Sequence, residues 1–272
     1  MRHSAVAFAA VLVAFGCQAS EAPRVELPVV ADGSGIEPIT NDLGWTITLT
    51  SARVAMADIR FTTAGEVHEG RNASLGAWVL ALLLPSAHAH PGHFQGGEVI
   101  GELPGEFVLD FVDGSGAELG VATLIVGRYT AADFVFRRAR AEELAADDPL
   151  AGHTAVLSGS ASKDGQTIEF SALIDSPEER ELIGAPFDHE IEQDAEYSLG
   201  LRLLTRDPNE QDTLFDGLDF AALDASDSTT GSVTLIDPAL DPELPEALQE
   251  AYNQLRRTFQ THDHFDVIAL DP

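Results

Sequence analysis

Five of the nine histidines fall in two tight groups, His88-Ala89-His90-Pro91-Gly92-His93 and His262-Asp263-His264. Residues two apart in an extended segment point to one side, so His88 and His90 can converge, and Pro91-Gly92 favours a turn that brings His93 back toward them. Three neutral imidazoles suit Cu(II), Zn(II) or Ni(II), with nitrogen to zinc distances of about 2.0–2.1 Å. His262 and His264 repeat the spacing, with Asp263 between them and Asp266 beyond. His68 and His189 are candidate further ligands, and His153, opening a strand-like run, reads as structural. Two other readings stay open: a solvated loop without ligand for the first group, and a helix C-cap with one buried histidine for the second.

A second chemistry is offered by oxygen. Asp207-Pro208-Asn209-Glu210-Gln211-Asp212 through Asp216-Gly217-Leu218-Asp219 collects hard ligands that suit calcium, although it lacks the ligand order and closing Glu of an EF-hand. It reads equally as a polar turn anchored by Leu214, Phe215, Leu218 and Phe220. Catalytic motifs break down at their defining positions. His189-Glu190-Ile191-Glu192-Gln193 places Gln193 where the zinc-protease motif needs its second histidine, and Ser160-Ala161-Ser162-Lys163 runs into a turn instead of opening a helix. The expectation is a binding protein, not an enzyme.

Composition narrows the partners. With 15 Lys plus Arg against 45 Asp plus Glu, the formal charge of −30 repels phosphate backbones and anionic headgroups, so nucleic acid is excluded as a partner and so is a basic membrane patch. Cys17 is the only cysteine, which rules out an intramolecular disulfide and a cysteine-built zinc site.

That cysteine ends a short charged start, Arg2-His3, and an apolar run from Ala5 to Phe15 followed by Gly16. The arrangement resembles a bacterial lipoprotein signal, although such signals usually carry Leu where this chain has Ala14 and a small residue in place of Phe15. The resemblance implies cleavage before Cys17, a diacylglyceryl group on its sulfur and a membrane held through that lipid. Gln18 after the cysteine, where sorted lipoproteins kept at the inner membrane carry Asp, implies the outer membrane, facing periplasm or cell surface.

The elements that must position these residues are read from periodicity. Residues 17–41 mix Pro, Gly and acids and read as a lipidated cysteine with a flexible tether. Order is expected from Trp45, with one strand through Trp45, Ile47 and Leu49 and a second through Val54, Met56 and Phe61. Period-two runs recur at Phe107–Phe111, Leu119–Val126, Phe134–Phe136, Ala155–Leu157, Ile168–Ala172 and Tyr197–Leu203, with turns at Asp113-Gly114-Ser115-Gly116 and Lys163-Asp164-Gly165. The fold class expected is mainly β: one antiparallel, Ig-like β-sandwich over 42–272. An apolar helical insertion is expected at 73–87, before the histidine group. It is too short to span a bilayer, and it either packs on the domain, lies on the membrane or, resembling a second signal with an Ala-x-Ala site, is processed internally. Leu248, Ala251, Tyr252, Leu255 and Phe259 predict an amphipathic helix over 245–261, then a strand from Phe265 to Leu270.

Histidine ligands on an exported β-sandwich, with Gly-x-Tyr strand openings such as Gly127-Arg128-Tyr129, resemble the periplasmic copper-chelating proteins that accompany methanobactin-type systems. The resemblance implies capture or delivery of a metal without turnover. Two other readings are a structural or adhesive lipoprotein that binds an envelope protein and a calcium-stabilised carbohydrate-binding sandwich. Two Trp and three Tyr leave the latter few rings to stack on sugars.

Overall fold

Apolar alternation from Trp45 onward changes phase twice, and the result is one long strand. In the computed structural model, which describes residues 22–63, 97–177 and 180–270, the two strands expected around Trp45 and Phe61 run together as β3 (Thr46–Thr62). Ile47 and Leu49 face the core, then Ala52, Val54 and Met56, then Ile59 and Phe61. Each change of parity coincides with a shift of register, between Leu49 and Ser51 and again between Ala57 and Ile59, where Asp58 takes φ 51°. A bulge adds one residue and moves every later side chain to the opposite face, so one bulged strand reads as two.

The described residues form a mainly β body of twelve strands in one hydrogen-bonded network. Besides β3 these are β1 (Arg24–Asp32), β2 (Ile39–Thr40), β4 (Val99–Asp110), β5 (Glu118–Ile125), β6 (Gly127–Phe136), β7 (Ala155–Lys163) and β8 (Gln166–Ile174). They continue with β9 (Arg180–Ile191), β10 (Ser198–Leu203), β11 (Ser232–Leu235) and β12 (Phe265–Leu270). The main path runs β11-β8-β7-β3-β4-β5-β1-β10-β12. Strand β3 is its branch point, with β2 and β4 along one edge and β7 and β6 along the other. Strand β6 pairs with β9, which packs beside β12, so the network returns upon itself around one core.

Two findings correct the expected architecture. Pairs β1/β10 and β8/β11 are parallel, so the sheet is mixed and not purely antiparallel. Neither pair is joined by a hairpin; long stretches of chain separate the partners, which is the condition for parallel pairing. Residues 24–32, expected within the tether, form β1 between β5 and β10 and bury Leu27, Val29 and Ala31. Pro28 stands just ahead of Val29, where the β10 ladder begins, so its missing N–H interrupts no bond of that ladder.

Local signals hold elsewhere. The Lys163-Asp164-Gly165 turn joins β7 to β8 with Asp164 at φ 52° and Gly165 at φ 82°, the two positive angles that a tight hairpin with right-twisted strands requires. Two α-helices lie among the described residues, α1 (Phe220–Ser226), capped by Asp219, and α2 (Glu246–Phe259). In α2 the five expected apolar side chains are buried, while Arg256 and Arg257 occupy the last turn, where the helix dipole favours cations. Neither helix is long and apolar enough to cross a membrane. The insertion expected at 73–87 lies outside the described residues.

Candidate functional site

The chain leaves the body after β3 and returns at β4, and this brackets the first histidine group. Thr62 is the register partner of Val99, and the Thr63 N–H donates to the Glu98 carbonyl at 3.1 Å. The segment that carries His68, His88, His90 and His93 is therefore anchored at both ends on one pair of adjacent strands. Those four histidines, like Cys17, lie outside the described residues.

The second group does not converge as expected. His262–His264 is a 3-10 turn between α2 and β12, not an extended segment. At three residues per turn, side chains two apart point roughly 120° away from each other. His264 is buried to 1 % exposure while His262 stays partly exposed, 3.5 Å from the carboxylate of Asp263. The Nδ1–H of His264 donates to the Leu204 carbonyl at 3.0 Å, and the Leu204 N–H donates to the His264 carbonyl at 2.8 Å, so the ring is stapled to the end of β10.

His189 has partners of its own. It sits on β9, stacked on Phe187, with Nε2 2.8 Å from the Tyr197 hydroxyl. A strand does not bring positions four apart onto one helical face, so the zinc-protease spacing fails in structure as well as in sequence. His153 has Nδ1 3.2 Å from Asp175, a carboxylate 2 % exposed that also lies 3.8 Å from Arg138. This His–Asp pair joins the start of β7 to the end of β8, and no spacing along the chain announces it.

Oxygen ligands do come together. One carboxylate oxygen from each of Asp207, Glu210 and Asp212 falls within 4.8 Å of the others. Buried Asp207 folds the loop: its two oxygens accept from the N–H groups of Asn209 at 2.7 Å and Glu210 at 3.2 Å, and its own N–H donates to the Asp212 carbonyl at 2.9 Å. Leu214, Phe215, Leu218 and Phe220 anchor the following stretch in the core, as the sequence suggests. Burial raises the carboxyl pKa of Asp212, opposed by nearby His264 and reinforced by the charges of Asp207 and Asp216. Crowded carboxylates of this kind suit a hard cation.

Burial lowers the pKa of His264 from its ordinary 6.5, against the pull of the Leu204 carbonyl and the charges of Asp212, Asp263 and Asp207. The folded state thus binds this proton less readily than the unfolded chain. Its contribution to stability is full above pH 6.5 and is lost as pH falls below that value. Asp212 acts in the opposite sense, since its raised pKa means that acid relieves an unfavourable charge. His264→Asn keeps a donor toward Leu204 and removes the titrating ring. With a chelator present, the wild-type urea midpoint is expected to drop between about pH 7.5 and pH 5.5, and the variant's to drop less. Equal drops would contradict this assignment.

Comparison with known proteins finds no matching family model, no matching curated protein and no matching solved structure.

Proposed function

We propose that the chain is an exported, lipid-anchored protein of the bacterial envelope that captures or delivers copper or zinc through His88, His90 and His93, without turnover. The observation that carries the proposal is the anchoring of their segment at Thr62 and Val99, which are paired neighbours on the sheet. Closing a segment on a rigid strand pair limits how far its ends spread and lowers the entropy lost when several ligands gather on one ion. Imidazole is the ligand type that suits both metals. Cys17 carries the lipid in this reading, and Gln18 assigns the outer membrane.

The finer architecture belongs to the same proposal: an Ig-like sandwich, modified by parallel pairs, whose layers share the long strand β3. The support is that β3 has neighbours along both edges and passes its apolar face through two bulges while remaining in one core.

A second reading, calcium at Asp207, Glu210 and Asp212, is favoured by the proximity of those oxygens. Metal content of the purified protein distinguishes the two. Copper or zinc is expected in whole-number stoichiometry and is expected to leave below about pH 5, where the imidazoles protonate. A protein that instead takes up calcium alone, and keeps doing so when His88, His90 and His93 are replaced, would support the second reading and reject the first.

A further inference from the structure

The body has one end at which the chain enters from residue 22 and at which segment 64–96 departs and returns. Thr62 pairs with Val99 there, and two residues on, Gly101 pairs with Leu124. The next residue of β5, Ile125, pairs with Arg24, the first residue of β1, and the Val126 N–H donates to the Pro23 carbonyl at 2.9 Å. Strands β4 and β5 are tied at this end by the buried Tyr129 ring, whose hydroxyl lies 3.0 Å from the Ile100 carbonyl oxygen and 2.8 Å from that of Ile125.

Cys17 precedes Arg24 by seven residues, which at full extension reach about 25 Å. A lipid on Cys17 therefore holds this end within about that distance of the bilayer. The surface there has matching chemistry. Val99 is 46 % exposed, and it lines an open cavity of about 190 Å³ together with Ile100, Ile125, Glu102 and exposed Arg24. Apolar side chains beside a guanidinium suit the boundary between acyl chains and phosphate. Ile191 of β9 pairs with Gly127 at the same end, bringing with it the acidic connection through Glu192, Asp194 and Glu196, which disfavours anionic headgroups.

We propose that this end, marked by Arg24, Val99 and Ile125, is the surface that rests against a neutral phospholipid bilayer. The proposal rests on the reading of Cys17 as the lipid anchor.

The test uses the full chain, processed and acylated in the cell and reconstituted in phosphatidylcholine vesicles. Single variants Val99→Cys and Leu43→Cys carry a fluorophore, because acylated Cys17 leaves no other thiol. Leu43 is 39 % exposed and stands just before β3, whose 17 residues separate it from the Val99 end by roughly 50 Å. Nitroxide-labelled phosphatidylcholine is expected to quench the Val99 label several-fold more than the Leu43 label. Equal quenching, or stronger quenching at Leu43, overturns the assignment. A Val99 label shielded from aqueous iodide yet untouched by the nitroxide lipid reports a protein cover and also overturns it. The mass of the N-terminal peptide keeps the two ideas apart. An acylated peptide with equal quenching rejects this surface alone, whereas a peptide without acyl chains rejects the anchor and the surface with it.

Discussion

Phe265→Ala is expected to destabilise the fold by about 3–5 kcal/mol, near the upper end for a single core truncation. Phe265 opens β12 and is fully buried, with ring centroids of Phe134, Phe136 and Phe259 at 5.1, 5.9 and 5.5 Å. These rings come from β6, α2 and β12, so one side chain ties the consecutive elements α2 and β12 to β6, which lies far earlier in the chain. Edge-to-face contacts add to the transfer free energy that truncation removes, and the cavity left behind is lined by rings too large to collapse into it. Urea unfolding of wild type and variant measures the loss. A change under about 1 kcal/mol would mean that the cluster is not packed as described.

Asn41→Ala is expected to cost about 3–4 kcal/mol, more than a polar residue at the edge of a tether could. Asn41 is 4 % exposed, and its amide uses its full capacity. Nδ2 donates to the carbonyls of Phe215 at 3.0 Å and Leu218 at 2.9 Å, while Oδ1 accepts from the N–H groups of Leu43 at 3.1 Å and Trp45 at 2.9 Å. One side chain thus fastens the turn before β3 to the loop before α1. Alanine strands the Leu218 carbonyl, leaves that of Phe215 with only the Leu218 N–H at 3.2 Å, and deprives the turn of its acceptor. Asn41→Asp is the sharper probe, because a carboxylate keeps the acceptor role but aims oxygen at two carbonyls. It is expected to be no more stable than alanine, and an Asp variant close to wild type would reject the assigned bonding.

Asn41 also shows why part of the fold was hidden. Its neighbours, Pro38 and Gly44, and the Gly33-Ser34-Gly35 turn give residues 24–44 the composition of a linker, although Leu27, Val29 and Ala31 alternate as a strand should. What makes β1 a strand is its placement between β5 and β10, and no local pattern carries that. Strand β9 was obscured in the same way by Gly184-Ala185-Pro186, at whose irregular register buried Asp133 accepts from the Gly184 N–H at 2.8 Å. Local devices were legible: the Asp164-Gly165 turn, the face of α2 and the alternation through β8 each follow from residues adjacent in sequence.

The same division applies to the chemistry. Carboxylates within one six-residue stretch could be read as a cluster, because a tight loop leaves them little room to separate. His262 and His264 could not be read correctly, because whether two residues share a face depends on the turn that β12 and α2 impose on them. The His153–Asp175 pair is created by the β7–β8 register, and the closeness of His264 to Asp212 by the docking of the loop after β10.

The most direct test of metal capture is a calorimetric titration of Cu(II) and Zn(II) into the lipid-free chain 18–272, beside a variant with His88, His90 and His93 all replaced by alanine. One-to-one binding that weakens by at least about a hundredfold in a variant of unchanged stability is the expected result. Absence of binding by the folded wild-type chain, or equal affinity in the variant, would contradict the account.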